Sequence, residues 1–230
     1  MSLSNRVSRN CELVIFDCDG VLVDSEILVA KAYSRTFESA GIRISEDDLL
    51  CRFVGISDAD MFRTLEQETG IKLSGHLDGL TQSLVLEVLE KELQAIPGIH
   101  ELLADLTLPA CVASSSTPVK LEHSLSLVGL HEHFAPNIFS SMMVANGKPA
   151  PDLFLLAAER MGCAPERSLV IEDSIAGVRS ALAAGMPVIG FAGASHCNDG
   201  HAAALKLAGA IETAHSMQEL RAVLRRVAGR

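Results

Sequence analysis

The chain has 230 residues, 48% of them apolar, and 19 basic against 29 acidic side chains give a formal net charge of −10. That length and apolar content allow one large domain, or one domain carrying an insertion, and exclude a disordered chain. The acidic balance argues against a nucleic-acid partner, whose backbone needs a basic face, and against an anionic membrane surface.

The N-terminal MSLSNRVSRN is polar and lacks an apolar signal core, and no stretch reaches the roughly 20 apolar residues of a membrane span. Cys11, Cys18, Cys51, Cys111, Cys163 and Cys197 are scattered without CxxC or Cys/His metal spacing. A reduced, cytoplasmic protein without an obligate protein partner is the expectation.

The first strand is predicted at 12–16 (ELVIF), where the unbroken run Leu13–Phe16 implies burial on both faces in a parallel sheet. It ends at Asp17. Asp19 follows two places later, and Gly20 permits a sharp turn. Carboxylates this close repel, so a cation is expected beside them.

Residues 27–95 then read as helices throughout, with segments closed by Gly41, Gly55 and Gly70. Ser45 and Ser57 are the predicted N-caps, Ser45 standing three residues before Asp48. With 7 basic and 12 acidic residues the segment carries −5, unsuited to polyanions. Placed just beyond the acidic strand end, it is positioned to cover it.

Further strands are predicted at 109–113, 168–172 and 187–191, with a weaker one at 209–213. Helices are predicted over 152–163 and 174–185, the second with Asp173 at its start and Gly185 beyond its end. This alternation gives an α/β fold, a Rossmann-like parallel sheet flanked by helices, with an inserted all-helical cap. The expected division is a catalytic core of 11–26 plus 96–230 and a cap of 27–95.

Three more features fall where strands should end: Ser114–Ser116, Lys148 before Pro149, and the pair Glu172–Asp173. In a parallel sheet, Asp17, Asp19, Ser114, Lys148, Glu172 and Asp173 gather at one edge. Four carboxylates in one cleft call for a hard divalent ion, and Mg²⁺ suits carboxylates, water and a phosphate oxygen. Lysine and serine suit a phosphoryl group. One carboxylate can attack phosphorus while another moves protons.

DCDGVLVDSE at 17–26, VASSS at 112–116, GKPAPD at 147–152 and VIEDSIAGVRSALAAGM at 170–186 resemble the haloacid dehalogenase superfamily. The branch is the one with a helical cap after the first strand, and the likeness spans about residues 11–215. The resemblance implies that Asp17 is nucleophile and metal ligand. Asp19 is then the general acid/base and gives its carbonyl to the metal. Ser114 and Lys148 hold the phosphoryl group, Asp173 completes the Mg²⁺ ligands, and Glu172 is a ligand or an outer partner. Ser115 and Ser116 add phosphate contacts. The cap residues expected to face the cleft are Glu26 and the turn Arg52–Ser57, with Gly55 inside it.

Metal-free dehalogenases of the superfamily lack the second aspartate, so Asp19 and the Glu172–Asp173 pair exclude that chemistry. Phosphosugar mutases of the β-phosphoglucomutase type carry cap cations where this chain has Val29 and Asp58. The expected function is therefore a Mg²⁺-dependent phosphatase acting on a small phosphorylated metabolite through an aspartyl-phosphate. The alternatives are a phosphosugar mutase and a catalytically silent phosphoacceptor module.

Overall fold

The apolar run at the start of the chain forms β1 (Leu13–Phe16), every residue of it at most 1% exposed. The computed structural model describes residues 11–73 and 76–227. Successive side chains of a strand point to opposite faces. Val14 and Phe16 accordingly enter one apolar cluster and Leu13 and Ile15 another. Both faces of β1 are covered, which explains the absence of polar alternation.

β1 lies inside a six-stranded parallel sheet of order β3-β2-β1-β4-β5-β6. The other strands are β2 (Ala110–Ser114), β3 (Ile138–Ser140), β4 (Ser168–Glu172), β5 (Val188–Phe191) and β6 (Glu212–Ala214). Ile15 sits in register with Cys111 on one side and Val170 on the other. The chain winds outward from β1 in both directions, so the crevice at its carboxyl end is a topological switch point.

Four helices follow β1 as one unit before the chain returns to the sheet: α1 (Glu26–Ser39), α2 (Glu46–Phe53), α3 (Asp58–Thr69) and α4 (His76–Glu92). The remaining helices are α5 (Ile99–Asp105), α6 (Pro118–Leu127), α7 (His131–Phe134), α8 (Asp152–Arg160), α9 (Ile175–Ala183), α10 (His201–Ala208) and α11 (Met217–Val227). Ser45 and Ser57 cap α2 and α3, accepting from the backbone N–H of Asp48 and Asp60 at 3.1 and 3.2 Å. The connections into and out of the four helices run side by side. Asp24 N–H donates to Gln94 O at 2.9 Å, and Ile96 N–H to Leu22 O at 3.0 Å.

Two predicted strands shift. β2 begins after Pro109, which has no N–H to donate but accepts from Val14 at 3.0 Å. β6 begins later because Gly209, at φ +117°, terminates α10. β3 was not predicted: it has three residues, and the preceding Pro136–Asn137 reads as a turn.

Inside the four-helix unit, Tyr33 and Phe37 stack at 5.8 Å and both meet Phe62 edge-on. Phe37 is fully buried. Phe37→Ala should cost about 3–5 kcal/mol, because a large cavity replaces those contacts. Urea unfolding followed by circular dichroism checks this, and an unchanged midpoint would contradict the packing.

Candidate active site

Lys148 reaches the carboxyl end of β1 from the loop before α8, and its side chain has no solvent exposure. Its Nζ donates to Asp17 Oδ1 at 2.9 Å and to Glu172 Oε1 at 2.6 Å. The other Glu172 oxygen accepts from the Ser174 backbone N–H and hydroxyl at 2.7 and 2.9 Å. Both oxygens of Glu172 are thus engaged. Burial raises the Asp17 carboxyl to about 7, reinforced by Glu172 and Asp19 and opposed by Lys148.

Asp19 has a different environment. Burial pushes its pKa up, but Lys120 and the hydroxyls of Ser116 and Ser25 outweigh that and hold it below the usual carboxylate value. Lys120 Nζ lies 2.9 Å from Asp19 Oδ1, and Ser116 Oγ donates to Oδ2 at 2.6 Å. Gly20 turns the loop at φ +72°, and a Cβ there would collide with Asp173 Oδ2. Ser114 is buried at the end of β2, where its Oγ accepts from Ser116 N–H at 3.2 Å.

Asp173 is 1% exposed, and neither of its carboxylate oxygens has a hydrogen-bond partner. Its nearest ion-pair neighbour is His196 Nε2, 3.2 Å from Oδ2. Burial raises its pKa well above normal, with Glu172 and Asp17 adding to the effect. Oxygens of Asp17, Glu172 and Asp173 all lie within 4.8 Å of one another.

A cleft of about 560 Å³, counting its open mouth, leads from Asp17 and Asp19 into the cap. Glu26, Val29, Tyr33, Gly55, Asp58 and Lys120 are among the residues lining it. Burial, with help from Asp19 and Asp173, raises Glu26 to about 8. Ser115 Oγ donates to Gly55 O at 2.8 Å, tying the strand end to the cap turn.

Arg52 is a correction to the sequence reading. It does not line this cleft; its guanidinium grips both oxygens of Glu68 at 2.6 and 2.8 Å on the exposed side of the cap. Lys120 was missed in turn. It sits one turn into α6, where the sequence offers no signal that separates it from a solvated helix lysine.

The model of the haloacid dehalogenase-like hydrolase family matches residues 14–191. This chain belongs to that family. The hydrolase is 33% identical over 191 residues to the 6-phosphogluconate phosphatase of Escherichia coli, covering 83% of this chain and 84% of that one. It is 35% identical over 189 residues to hexitol phosphatase A of the same organism, covering 78% and 82%. A solved haloacid dehalogenase-like protein of unknown function from Agrobacterium tumefaciens superposes at TM-score 0.80. That protein is 42% identical, with 95% of this chain and 99% of that one covered.

The family implies Mg²⁺, and the donor set fits. Two unpartnered oxygens on a buried aspartate are costly unless a cation satisfies them, and the surrounding ligands are hard oxygens. The charge count agrees. Asp17, Asp19, Glu172 and Asp173 face Lys120 and Lys148, which leaves two negative charges.

The metal-free hydrolase should lose stability as pH rises. The Asp17 pKa moves from 3.8 unfolded to about 7 folded. The folded state therefore holds more protons through that window, and raising pH favours unfolding. The thermal midpoint of chelated protein should fall between about pH 4 and about pH 7, Mg²⁺ should restore it, and Asp17→Asn should flatten the slope. A midpoint rising across that range would contradict the raised carboxyls.

Proposed function

We propose that this hydrolase is a Mg²⁺-dependent phosphatase that cleaves a small phosphorylated sugar or sugar acid through an aspartyl-phosphate on Asp17. The observation that carries the reading is the fully buried Lys148 bridging Asp17 and Glu172, beside an Asp173 with two unpartnered oxygens. Helices α1–α4 act as a cap on the core formed by residues 11–26 and 96–230.

Lys148 holds one Asp17 oxygen, leaving the other to attack phosphorus in line with the leaving group. The bond from Asp17 to phosphorus forms as the bond to the leaving oxygen breaks. Asp19 protonates that oxygen, the proton being favoured there by the negative field of the bound phosphoryl group. Asp19, now ionised, takes a proton from water. That water attacks phosphorus, releasing phosphate and restoring Asp17. Ser114 donates its hydroxyl to the phosphoryl group, and Lys148 screens it against the carboxylates. Asp17, Asp173 and the Asp19 carbonyl would hold Mg²⁺, with Glu172 fixing Lys148 from outside. When bound, the ion neutralises charge on the phosphoryl oxygens.

The cleft supports a polyhydroxylated substrate. Glu26, Asp58 and Tyr33 offer hydrogen-bonding groups to hydroxyls, and Lys120 offers a cation to a carboxylate or hydroxyl. Val29 and Asp58 both line it, where a mutase needs cations for a second phosphate. Among the described residues Lys120 is the one cationic side chain in its lining, and Asp19 already engages it. Water, rather than a second sugar, then discharges the phosphoenzyme. Ser115 and Gly55 form a latch whose breaking opens the cap.

A panel of sugar and sugar-acid phosphates followed by phosphorus NMR tests this, with and without chelator. Phosphate release that needs Mg²⁺, without isomerised sugar phosphate even when a trace of bisphosphate is added, is the expected result. Isomerisation outrunning phosphate release, or full turnover after metal removal, would overturn it.

A further inference from the structure

No recognised Cys/His metal spacing stands in the sequence, yet the loop from β5 to α10 brings together a thiol and two imidazoles. Ligand atoms of His196, Cys197 and His201 lie within 4.8 Å of one another. We propose that these three residues form a second metal site, for a thiophilic divalent ion such as Zn²⁺.

The donor types select the ion. Thiolate and imidazole suit Zn²⁺ and its soft or borderline neighbours, whereas Mg²⁺ takes oxygen ligands. The spacing fits as well. With Zn–N near 2.05 Å and Zn–S near 2.3 Å, a tetrahedral N···S edge is about 3.6 Å. His196 Nε2 stands 3.6 Å from Cys197 Sγ.

Three further observations point to a ligand. His196 is 3% exposed at its side chain, and Nε2 is the ring atom it turns toward Cys197. His201 Nε2 lies 2.6 Å from the Asp173 carbonyl oxygen, which can only accept. That bond puts the ring proton on Nε2 and the lone pair on Nδ1, the arrangement by which metal-binding histidines are oriented. The loop is also anchored rather than loose: Asp24 Oδ1 accepts from Ser195 N–H and Oγ at 3.1 and 2.8 Å.

Binding would displace the Cys197 thiol proton to solvent as the sulfur–metal bond forms. The site does not depend on the phosphatase reading.

The test uses the full chain with Mg²⁺ in excess to occupy the carboxylates, and calorimetric titration with Zn²⁺. A parallel titration with Co²⁺ reads the thiolate-to-metal charge-transfer band. The expected result is one Zn²⁺ per chain, proton release, and a Co²⁺ thiolate band. Cys197→Ser should abolish the band and weaken Zn²⁺ by more than the ~10–100-fold that loss of an outer partner costs. His201→Gln should weaken it too. Absence of the thiolate band, or equal Zn²⁺ affinity in wild type and Cys197→Ser, would overturn the site. Both readouts are independent of activity, so a failed phosphatase assay leaves them decisive.

Discussion

The lysine bridging β1 and β4 is the constraint on which the rest of the site depends. Lys148, Asp17 and Glu172 are all buried, in positions where isolated charges are prohibitive and removing one partner strands the others. The pairing fixes the end of β1 to the end of β4. It also leaves Asp173 with two oxygens that have no hydrogen-bond partner and the site with two excess negative charges, which suits a divalent ion. The lysine organises the carboxylates, and in the proposed reading the ion would complete them.

Asp17 and Asp19, two residues apart, are driven in opposite directions by their surroundings. Asp17 is raised by burial among carboxylates, while Asp19 is lowered by Lys120 and two hydroxyls. These shifts run opposite to what attack by Asp17 and proton donation by Asp19 would need, and a cation beside Asp17 together with a phosphoryl group beside Asp19 would reverse both. Lys120 comes from the core but lines the cleft beneath the cap, where it pairs with Asp19. The paired connections at Leu22–Asp24 and Gln94–Ile96 give the cap a two-stranded hinge close to the same loop.

The core of this arrangement was legible because each residue follows an apolar run. A strand buried on both faces can only release polar chemistry at its end, and in a parallel sheet those ends coincide. Asp17, Ser114 and Glu172–Asp173 follow from that rule. Lys148 is placed by the helix that begins after it. What was not legible depends on side-chain direction set by tertiary packing. Arg52 was expected in the cleft because it precedes the cap turn, but α3 presents Glu68 and captures it. Lys120 reads as a surface lysine until α6 is seen to start beneath Asp19. His196, Cys197 and His201 match no recognised metal spacing, and only the fold of the loop over Asp173 brings them together.

The central claim is that Asp17 forms a covalent bond to phosphorus while Lys148 restrains its other oxygen. The most direct measurement is borohydride trapping of the enzyme during turnover, followed by peptide mass spectrometry. An acyl phosphate at Asp17 would be reduced to homoserine, and the account predicts that change at position 17 in the presence of substrate and Mg²⁺ and in neither control. Steady phosphate release with an unmodified Asp17, or with the label at another carboxylate, would contradict it.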